Sequence, residues 1–123
     1  MLSIQISTAN ISLTAELNDS PTAKAIYKAL PIESNAQRWG DEIYFKIPIK
    51  SELEPQARSD MAIGEIAYWP PGKAFCIFFG PTPASRDKQP RAASPVNPIG
   101  NIIGDATQFH VVKDGEKIRL EHL

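Results

Sequence analysis

The sequence has 123 residues, a length that fits one domain and leaves no room for two domains of ordinary size. Its composition, 42% hydrophobic and 22% charged, excludes a disordered chain and a membrane-embedded one. Lys and Arg total 13 against 14 Asp and Glu, and this balance excludes a nucleic-acid or anionic-membrane surface that works by bulk charge. We therefore expect a packed globular domain over residues 1–123, with neither nucleic acid nor membrane as a partner.

The thiol and imidazole groups of the sequence do not suggest a metal or cofactor site. Cys76 is the single cysteine, so it cannot form an internal disulfide, and no basic-then-apolar leader precedes Ile4. We therefore expect a cytoplasmic protein. Cys76 is the one candidate sulfur ligand for a metal, and His110 and His122 are the candidate nitrogen ligands. No two of these three residues have chelating spacing. The sequence predicts no metal and no cofactor.

The chain begins with a predicted hairpin followed by a predicted helix. Apolar and polar residues alternate from Leu2 to Ser7 and from Ile11 to Leu17, which is typical of strands with one buried face. A helix is predicted over residues 21–30, with Ser20 as N-cap and Pro31 as its stop. Apolar residues recur on one face of this segment, so we expect the helix to plug one end of a barrel.

Three further hairpins are predicted from turn sequences. The turns are Gly40-Asp41, Pro70 to Lys73 and Lys113 to Glu116, and each lies between two segments with strand character. In the second turn, Gly72 is expected to take the positive φ of a type II turn. The strand that follows this turn, Ala74 to Phe79, is apolar on both faces, which predicts a wall between the barrel interior and the helix.

Three remaining segments are less regular. Pro95 to Ile103 is a weaker strand, interrupted by prolines and a glycine, and is predicted to be an edge or a bulged segment. Lys50 to Ala62 is predicted to be a surface excursion with a short turn of helix. Gly80 to Ser94 is a long loop, and long irregular loops in compact domains are often functional. About eight strands and one helix predict an all-β, closed barrel.

Two proline-punctuated aromatic segments carry a family resemblance: Tyr68-Trp69-Pro70-Pro71-Gly72 and Phe78-Phe79-Gly80-Pro81-Thr82-Pro83. Together with residues 40–45 and 94–100, they resemble a small bacterial and archaeal family of cyclophilin-like domains whose biochemical role is not established. The resemblance covers nearly the whole chain. It implies a cyclophilin-like β-barrel with one capping helix.

The same resemblance raises the question of prolyl isomerase activity. True cyclophilins carry a catalytic arginine in a Phe-His-Arg stretch and line the proline pocket with a Gln-Phe-Phe stretch. Here Phe109-His110-Val111 lacks the arginine, and Ile77-Phe78-Phe79 has isoleucine in place of glutamine. Arg86 and Arg91 in the long loop are candidate replacements, although both are also typical solvated loop charges.

Candidate ligand-binding residues are aromatic and polar side chains predicted near one mouth of the barrel. Glu42 and Tyr44 share one face of their strand, whereas Trp69 and Phe79 end strands beside proline turns. The competing interpretation places all of them in an ordinary core or on a wet sheet face, and both interpretations stay open. The full candidate set is Glu42, Tyr44, Tyr68, Trp69, Phe79, Thr82, Arg91 and Asn97.

These observations favour a non-enzymatic binding module for a small molecule or a proline-containing peptide. A weak prolyl isomerase is the first alternative. The second is a partner subunit or regulator, because cyclophilin-like barrels also occur in two-component amidohydrolases. In that case the predicted apolar edge at 95–103 would pair with another protein or with a second copy in a homodimer.

Overall fold

The computed structural model describes residues 2–123, and its dominant feature is one large antiparallel sheet. The fold is mainly β with one α-helix, as predicted. The strands are β1 (Leu2–Ser7), β2 (Ser12–Leu17), β3 (Ile32–Asn35), β4 (Gln37–Arg38), β5 (Glu42–Lys46), β6 (Arg58–Asp60), β7 (Glu65–Trp69), β8 (Ala74–Phe78), β9 (Arg91–Ile103) and β10 (Lys117–His122). They pair in the order β3-β10-β1-β2-β9-β7-β8-β5-β4, and β6 pairs with β9.

The predicted closure of the barrel is not confirmed. The two ends of the pairing order, β3 and β4, are not joined by a strand ladder within residues 2–123. They are consecutive in the chain and are separated only by Ala36, whose backbone N–H donates a hydrogen bond of 2.7 Å to the carbonyl of Glu116. The two edge strands of the sheet are therefore adjacent in the chain, but in the described part of the chain no hydrogen-bonded ladder between them closes the sheet into a barrel.

The helix α1 spans Pro21–Ala29 and begins as predicted. The Ser20 hydroxyl accepts a hydrogen bond of 3.2 Å from the backbone N–H of Ala23, which satisfies one of the free amides of the first turn. The helix ends one residue early because Leu30, which precedes a proline, takes an extended conformation. Ala23 and Ile26 join the main core. No helix within residues 2–123 is long and apolar enough to cross a membrane.

Strand β8 is buried on both faces, but the helix does not cover its second face. Phe75 and Ile77 point into the main core, together with the alternating apolar residues of β1 and β2. Cys76 and Phe78 point the other way, into a second apolar cluster completed by Met61, Ala67, Ala74, Ala92 and Val96. Residues at the end of β6 and from β9 therefore cover the face on which the sequence predicted the helix.

Strand β9 is a central strand, so the predicted edge at 95–103 is wrong and the bulge is right. It pairs with β2, β7 and β6. Ile66 lies opposite Gly100 and Ala67 opposite Pro98, which leaves Ile99 as the extra residue of a bulge. A proline is tolerated there because the ladder is already interrupted. The segment offers no free edge to a partner strand.

Of the three later hairpins, the one at Lys113 to Glu116 is wrong, whereas the one between β7 and β8 is confirmed in its strand pairing and differs only in its turn. Residues Ala106–Val111 form a 3-10 helix capped by Asp105, so Lys113 to Glu116 does not join two paired strands, and β10 pairs with β1 and β3 instead. The Pro70–Gly72 turn is also a 3-10 helix, and Lys73 rather than Gly72 takes the positive φ, of 49°. The predicted helical turn within residues 50–62 is absent from that described segment, which contains β6.

The hairpin at Gly40-Asp41 is confirmed and positions the candidate site. Strands β4 and β5 are antiparallel neighbours. Trp39 and Glu42 exchange backbone hydrogen bonds of 3.0 and 3.2 Å on either side of the two-residue loop. Gly40 has a φ of 62°, a conformation that side chains disfavour, and its backbone packs against Pro81 to Pro83. Because directly paired residues share a sheet face, this turn places the Trp39 and Glu42 side chains next to each other.

Candidate functional site

A pocket of about 200 Å³ lies on the sheet face opposite the main core, beside the second apolar cluster. Its lining residues come from β5, β7, β9 and the turn after β4: Trp39, Glu42, Tyr44, Trp69 and Ala93. The chain contains two tryptophans, and both of them line this pocket. We refer to it as the two-tryptophan pocket.

Three strands hold the pocket residues in place. In β5, Ile43 and Phe45 anchor one face in the main core, so Glu42 and Tyr44 necessarily project from the other face. Strand β8 lies between β5 and β7, and its Cys76 pairs with Tyr44 on one side and with Ala67 on the other. The pocket walls are thus built on paired strands rather than on flexible loops.

Trp69 is held at the end of β7 by two contacts. Its indole Nε1–H donates a hydrogen bond of 2.7 Å to the Ser94 hydroxyl. Gly72 packs so closely that a Cβ on it would lie 2.8 Å from the ring carbons Cε3 and Cζ3. These contacts use the polar atom of the indole and fix the plane of the ring, which is half-buried.

Glu42 is the charged group of the pocket and is only 6% exposed. Burial raises the pKa of its carboxyl to about 7, and a hydrogen bond with the Cys76 thiol offsets part of this rise. Within residues 2–123 no cation forms an ion pair with it, whereas the less buried Glu65 pairs with Arg58 at 2.5 Å. Glu42 is therefore a carboxyl that exchanges its proton near neutral pH at the wall of a small aromatic pocket.

The Cys76 thiol, which lies beside this carboxyl, is unreactive. Burial raises the pKa of its thiol well above the usual value, and the neighbouring Glu42 raises it further. A thiol in this state supplies little thiolate for nucleophilic or redox chemistry. Among residues 2–123 no group of three His, Cys, Asp or Glu side chains is arranged to hold a metal ion.

Glu42, Tyr44 and Trp69 are the predicted site residues that the fold brings together, and the other five lie elsewhere. Tyr68 is fully buried, and its hydroxyl donates a hydrogen bond of 2.6 Å to the carbonyl of Ile49. Phe79 is buried in the main core, where its ring lies 6.2 Å from that of Phe109 and 5.0 Å from the Arg38 guanidinium.

Asn97, Thr82 and Arg91, which also lie outside the pocket, have structural partners. Asn97 is fully buried, and its side chain accepts a hydrogen bond from the Glu54 amide at 2.8 Å and donates one to the Glu52 carbonyl at 2.9 Å. It thereby fastens the 50–57 excursion to β9. The Thr82 hydroxyl donates to the carbonyl of Arg91, and the Arg91 guanidinium forms an ion pair with Asp60 at 2.6 Å.

Trp39 and Ala93 complete the pocket and were missed from the sequence. The signal for Trp39 was available, because a two-residue turn at Gly40-Asp41 makes residues 39 and 42 a cross-strand pair. Ala93 carried no signal of its own. It reaches the pocket because β9 starts at Arg91, inside the segment predicted to be an irregular loop.

None of the chain's five arginines lines the two-tryptophan pocket. Arg38 donates hydrogen bonds to the carbonyls of Gly40 and Val112, and Arg119 pairs with Glu33 and Glu121. Arg58, Arg86 and Arg91 line a separate cleft, where Asp60, Glu65 and Asp87 balance their charge. The arginine that a prolyl isomerase requires is therefore not at this site.

Comparisons with known proteins agree on the fold. The Cyclophilin-like family model matches residues 2–121. The solution structure of the hypothetical protein AF2241 from Archaeoglobus fulgidus is 42% identical to this chain, covering 99% of it and 95% of that protein, with a TM-score of 0.84. McbB, solved in complex with tryptophan, is 16% identical to this chain, with a TM-score of 0.71. The match covers 97% of this chain and 44% of the McbB chain. No curated protein matches the sequence.

Proposed function

This chain belongs to the cyclophilin-like family, and we propose that it is a non-enzymatic module that binds a small molecule, or one side chain of a proline-containing peptide, in the two-tryptophan pocket. The observation that carries the proposal is the convergence of both tryptophans with a buried, unpaired carboxyl. Folding alone gives no reason to bury such a carboxyl without a counter-ion, because a buried charge that lacks one destabilises the native state.

The dimensions of the pocket limit the ligand. Pockets for drug-sized molecules measure roughly 300–1,000 Å³, whereas this one measures about 200 Å³. The occupant is therefore a metabolite-sized molecule or a single inserted side chain. McbB was solved in complex with tryptophan, and its likeness to this chain makes metabolite-sized ligands the first class to test.

The positions of the arginines support binding rather than isomerisation. Catalysis of prolyl rotation needs a cation or amide donor placed against the twisted imide. Arg86 and Arg91 both pair with Asp60 in the separate cleft. The aromatic walls nevertheless suit a proline ring, which packs well on tryptophan and tyrosine faces. A proline-containing peptide therefore stays within the proposal as a ligand.

No specific surface of residues 2–123 supports the alternative in which this chain is a partner subunit or regulator. The segment at 95–103 that was expected to offer an edge is paired on both sides. Self-association and a cytoplasmic location remain predictions from the sequence. Size-exclusion chromatography with light scattering tests the first of these, and a monomer at micromolar concentration would remove the homodimer.

A direct test uses the two indole N–H resonances of the ¹⁵N-labelled protein. Since both tryptophans line the pocket, these two signals report its occupancy without a background from the rest of the chain. A library of small amines, alcohols, amides, carboxylates and an Ala-Pro peptide is titrated to millimolar concentration. We expect saturable shifts of both indole signals for at least one class. Unchanged signals across the whole library would refute a binding role for this pocket.

A further inference from the structure

We propose that the two-tryptophan pocket recognises an organic ammonium group, which lies among the faces of Trp39, Tyr44 and Trp69 with Glu42 as its counter-ion. This inference rests on the proposed binding function and assigns the chemical class of the ligand. Its occupant is a primary, secondary or tertiary amine in protonated form, either as a free metabolite or as the end of a larger molecule.

The aromatic composition of the pocket is the first argument. Three of its five lining residues are tryptophan or tyrosine. The faces of these rings carry negative partial charge and attract cations, with tryptophan the strongest of the natural side chains. The Trp69 indole already donates its N–H to Ser94, so what it offers to a ligand is the ring and not a hydrogen-bond donor. Such a lining discriminates in favour of positive charge.

The carboxyl of Glu42 is the second argument. Other carboxylates of the chain have cationic partners: Asp60 pairs with Arg91 at 2.6 Å, and Glu65 pairs with Arg58 at 2.5 Å. Glu42 is more buried than either of these and has no such partner within residues 2–123. A protonated amine supplies both the missing charge and N–H donors for the carboxylate oxygens. A quaternary ammonium ion supplies only the charge.

The protonation behaviour of Glu42 agrees with this assignment. Because burial holds its pKa at about 7, a modest stabilisation of the carboxylate form ionises it at neutral pH. A bound cation provides that stabilisation, so binding releases a proton from the fraction of molecules in which Glu42 is protonated. Binding of a neutral acceptor such as an amide carbonyl would take up a proton instead, because the acceptor requires the protonated carboxyl of Glu42 as its donor. A carboxylate ligand suffers like-charge repulsion.

The test compares three probes that share a four-carbon chain and differ in the charge of the end group: n-butylammonium, 1-butanol and butyrate. Each is titrated at pH 8 while the two indole N–H signals are followed. We expect n-butylammonium to bind with a Kd on the order of 1 mM, which is typical of a ligand with five heavy atoms. We expect 1-butanol to bind at least tenfold more weakly and butyrate to cause no saturable shift.

The variant Glu42→Gln removes the charge and keeps the shape of the side chain. It should weaken n-butylammonium at least tenfold and leave 1-butanol within twofold of its wild-type affinity. Glu52→Gln is the matched control, because it removes an equal charge from an exposed position outside the pocket. It should leave all three titrations unchanged. The dispersion of the amide spectrum verifies that each variant is folded.

A second readout is the pH dependence of n-butylammonium binding. Raising the pH from 6 to 8 increases the ionised fraction of Glu42 from about a tenth to about nine-tenths, so the affinity for n-butylammonium should rise about tenfold. The Cys76 thiol, which faces Glu42 from β8, has a raised pKa and stays protonated over this interval. The remaining nearby titratable groups are Tyr44 in the pocket and the ion pair between Asp41, in the turn before Glu42, and His110, in the 3-10 helix Ala106–Val111. The same comparison of n-butylammonium affinity at pH 6 and pH 8, made with Glu42→Gln, controls for these groups. The affinity of this variant should not change with pH.

The outcomes separate the two claims. If 1-butanol or butyrate binds as tightly as n-butylammonium, the pocket binds ligands and the ammonium assignment is wrong. The same conclusion holds if Glu42→Gln and Glu52→Gln affect the cation equally, or if its affinity does not rise with pH. If no probe shifts either indole signal, the ammonium assignment is wrong, and the binding function fails as well only if the whole library leaves both signals unchanged.

Discussion

Trp39 and Glu42 form a cross-strand pair closed by two backbone hydrogen bonds of 3.0 and 3.2 Å. The pair flanks the two-residue turn at Gly40-Asp41, so a half-buried indole lies beside the buried carboxyl of the pocket. A short turn with a backbone conformation that favours glycine thus couples the two chemical elements of the site. The ring and the charge are held together by local structure rather than by long-range packing.

The first prediction concerns the contribution of the Trp39 ring. Trp39→Ala removes one aromatic face and should weaken n-butylammonium binding about 5- to 30-fold, consistent with a cation–π contact worth roughly 1–2 kcal/mol. Trp39→Phe keeps a face and should retain most of the affinity. The single remaining indole signal, from Trp69, reports both titrations. Equal affinities for the two variants would contradict a contribution from an aromatic face at this position.

The second prediction concerns the hydrogen bond between Trp69 and Ser94. Ser94→Ala leaves the indole N–H without its 2.7 Å partner, so the ring orientation is less fixed. We expect a roughly three- to tenfold loss of n-butylammonium affinity and a free energy of unfolding lower by about 1 kcal/mol. Denaturant titration and indole chemical shift measure the two effects.

Ser34→Ala is the control for Ser94→Ala. The Ser34 hydroxyl donates a hydrogen bond of 2.9 Å to the Lys46 carbonyl, and the substitution removes it. Ser34 lies outside the pocket, so its removal should affect stability alone. A Ser94→Ala protein with wild-type affinity and an unchanged Trp69 signal would contradict the positioning role.

The third prediction follows from the pKa of Glu42, which is raised from 4.5 to about 7 in the folded protein. Between these pH values the folded chain keeps the proton and the unfolded chain has lost it. Stability therefore falls as the pH rises through this window and is constant above it. The full loss is about 3 kcal/mol at 1.36 kcal/mol per pKa unit.

Glu42→Gln should remove this loss, because glutamine is neutral at every pH. The free energy of unfolding of the variant minus that of the wild type should grow between pH 5 and pH 8, to about 3 kcal/mol. Carboxylates with lowered pKa values, such as Glu65, act in the opposite direction but are common to both proteins and cancel. A difference that does not vary with pH would show that Glu42 is not desolvated.

Local sequence patterns predicted the parts of this fold that local physics determines. Strict alternation placed Ile4 and Ile6 in the core, Ser20 began the helix, and Gly40 marked a two-residue turn. Strand β9 was misjudged as an edge because its prolines suggested one. Its place in the sheet depends on pairing with β2 and β7, which are distant in sequence.

The candidate site was predicted only in part for the same reason. The alternation in β5 correctly placed Glu42 and Tyr44 on one face. Their proximity to Trp69 depends on β8 lying between β5 and β7, which no local pattern specifies. Asn97 looked like a ligand-binding side chain, but its amide proved to be occupied by backbone partners of the 52–54 segment.

The fourth prediction separates this structural role from ligand binding. Asn97→Ala leaves the Glu54 amide and the Glu52 carbonyl without partners beside a fully buried position. We expect a loss of about 2–3 kcal/mol in the free energy of unfolding and no change in n-butylammonium affinity. Asn101→Ala, an exposed residue of the same strand, should change stability by less than about 0.5 kcal/mol. A selective loss of affinity in Asn97→Ala would return this residue to the binding site.

The fifth prediction addresses isomerase activity. NMR exchange spectroscopy of an Ala-Pro peptide measures cis/trans interconversion directly, with and without catalytic amounts of the protein. We expect the exchange to stay at its uncatalysed rate, on the scale of tens to hundreds of seconds, because each arginine is engaged away from the pocket. Acceleration that Arg86→Ala or Arg91→Ala abolishes would instead place catalysis in the cleft around Asp60. Acceleration that survives both variants but is lost in Trp69→Ala would place it in the two-tryptophan pocket, with a donor other than arginine.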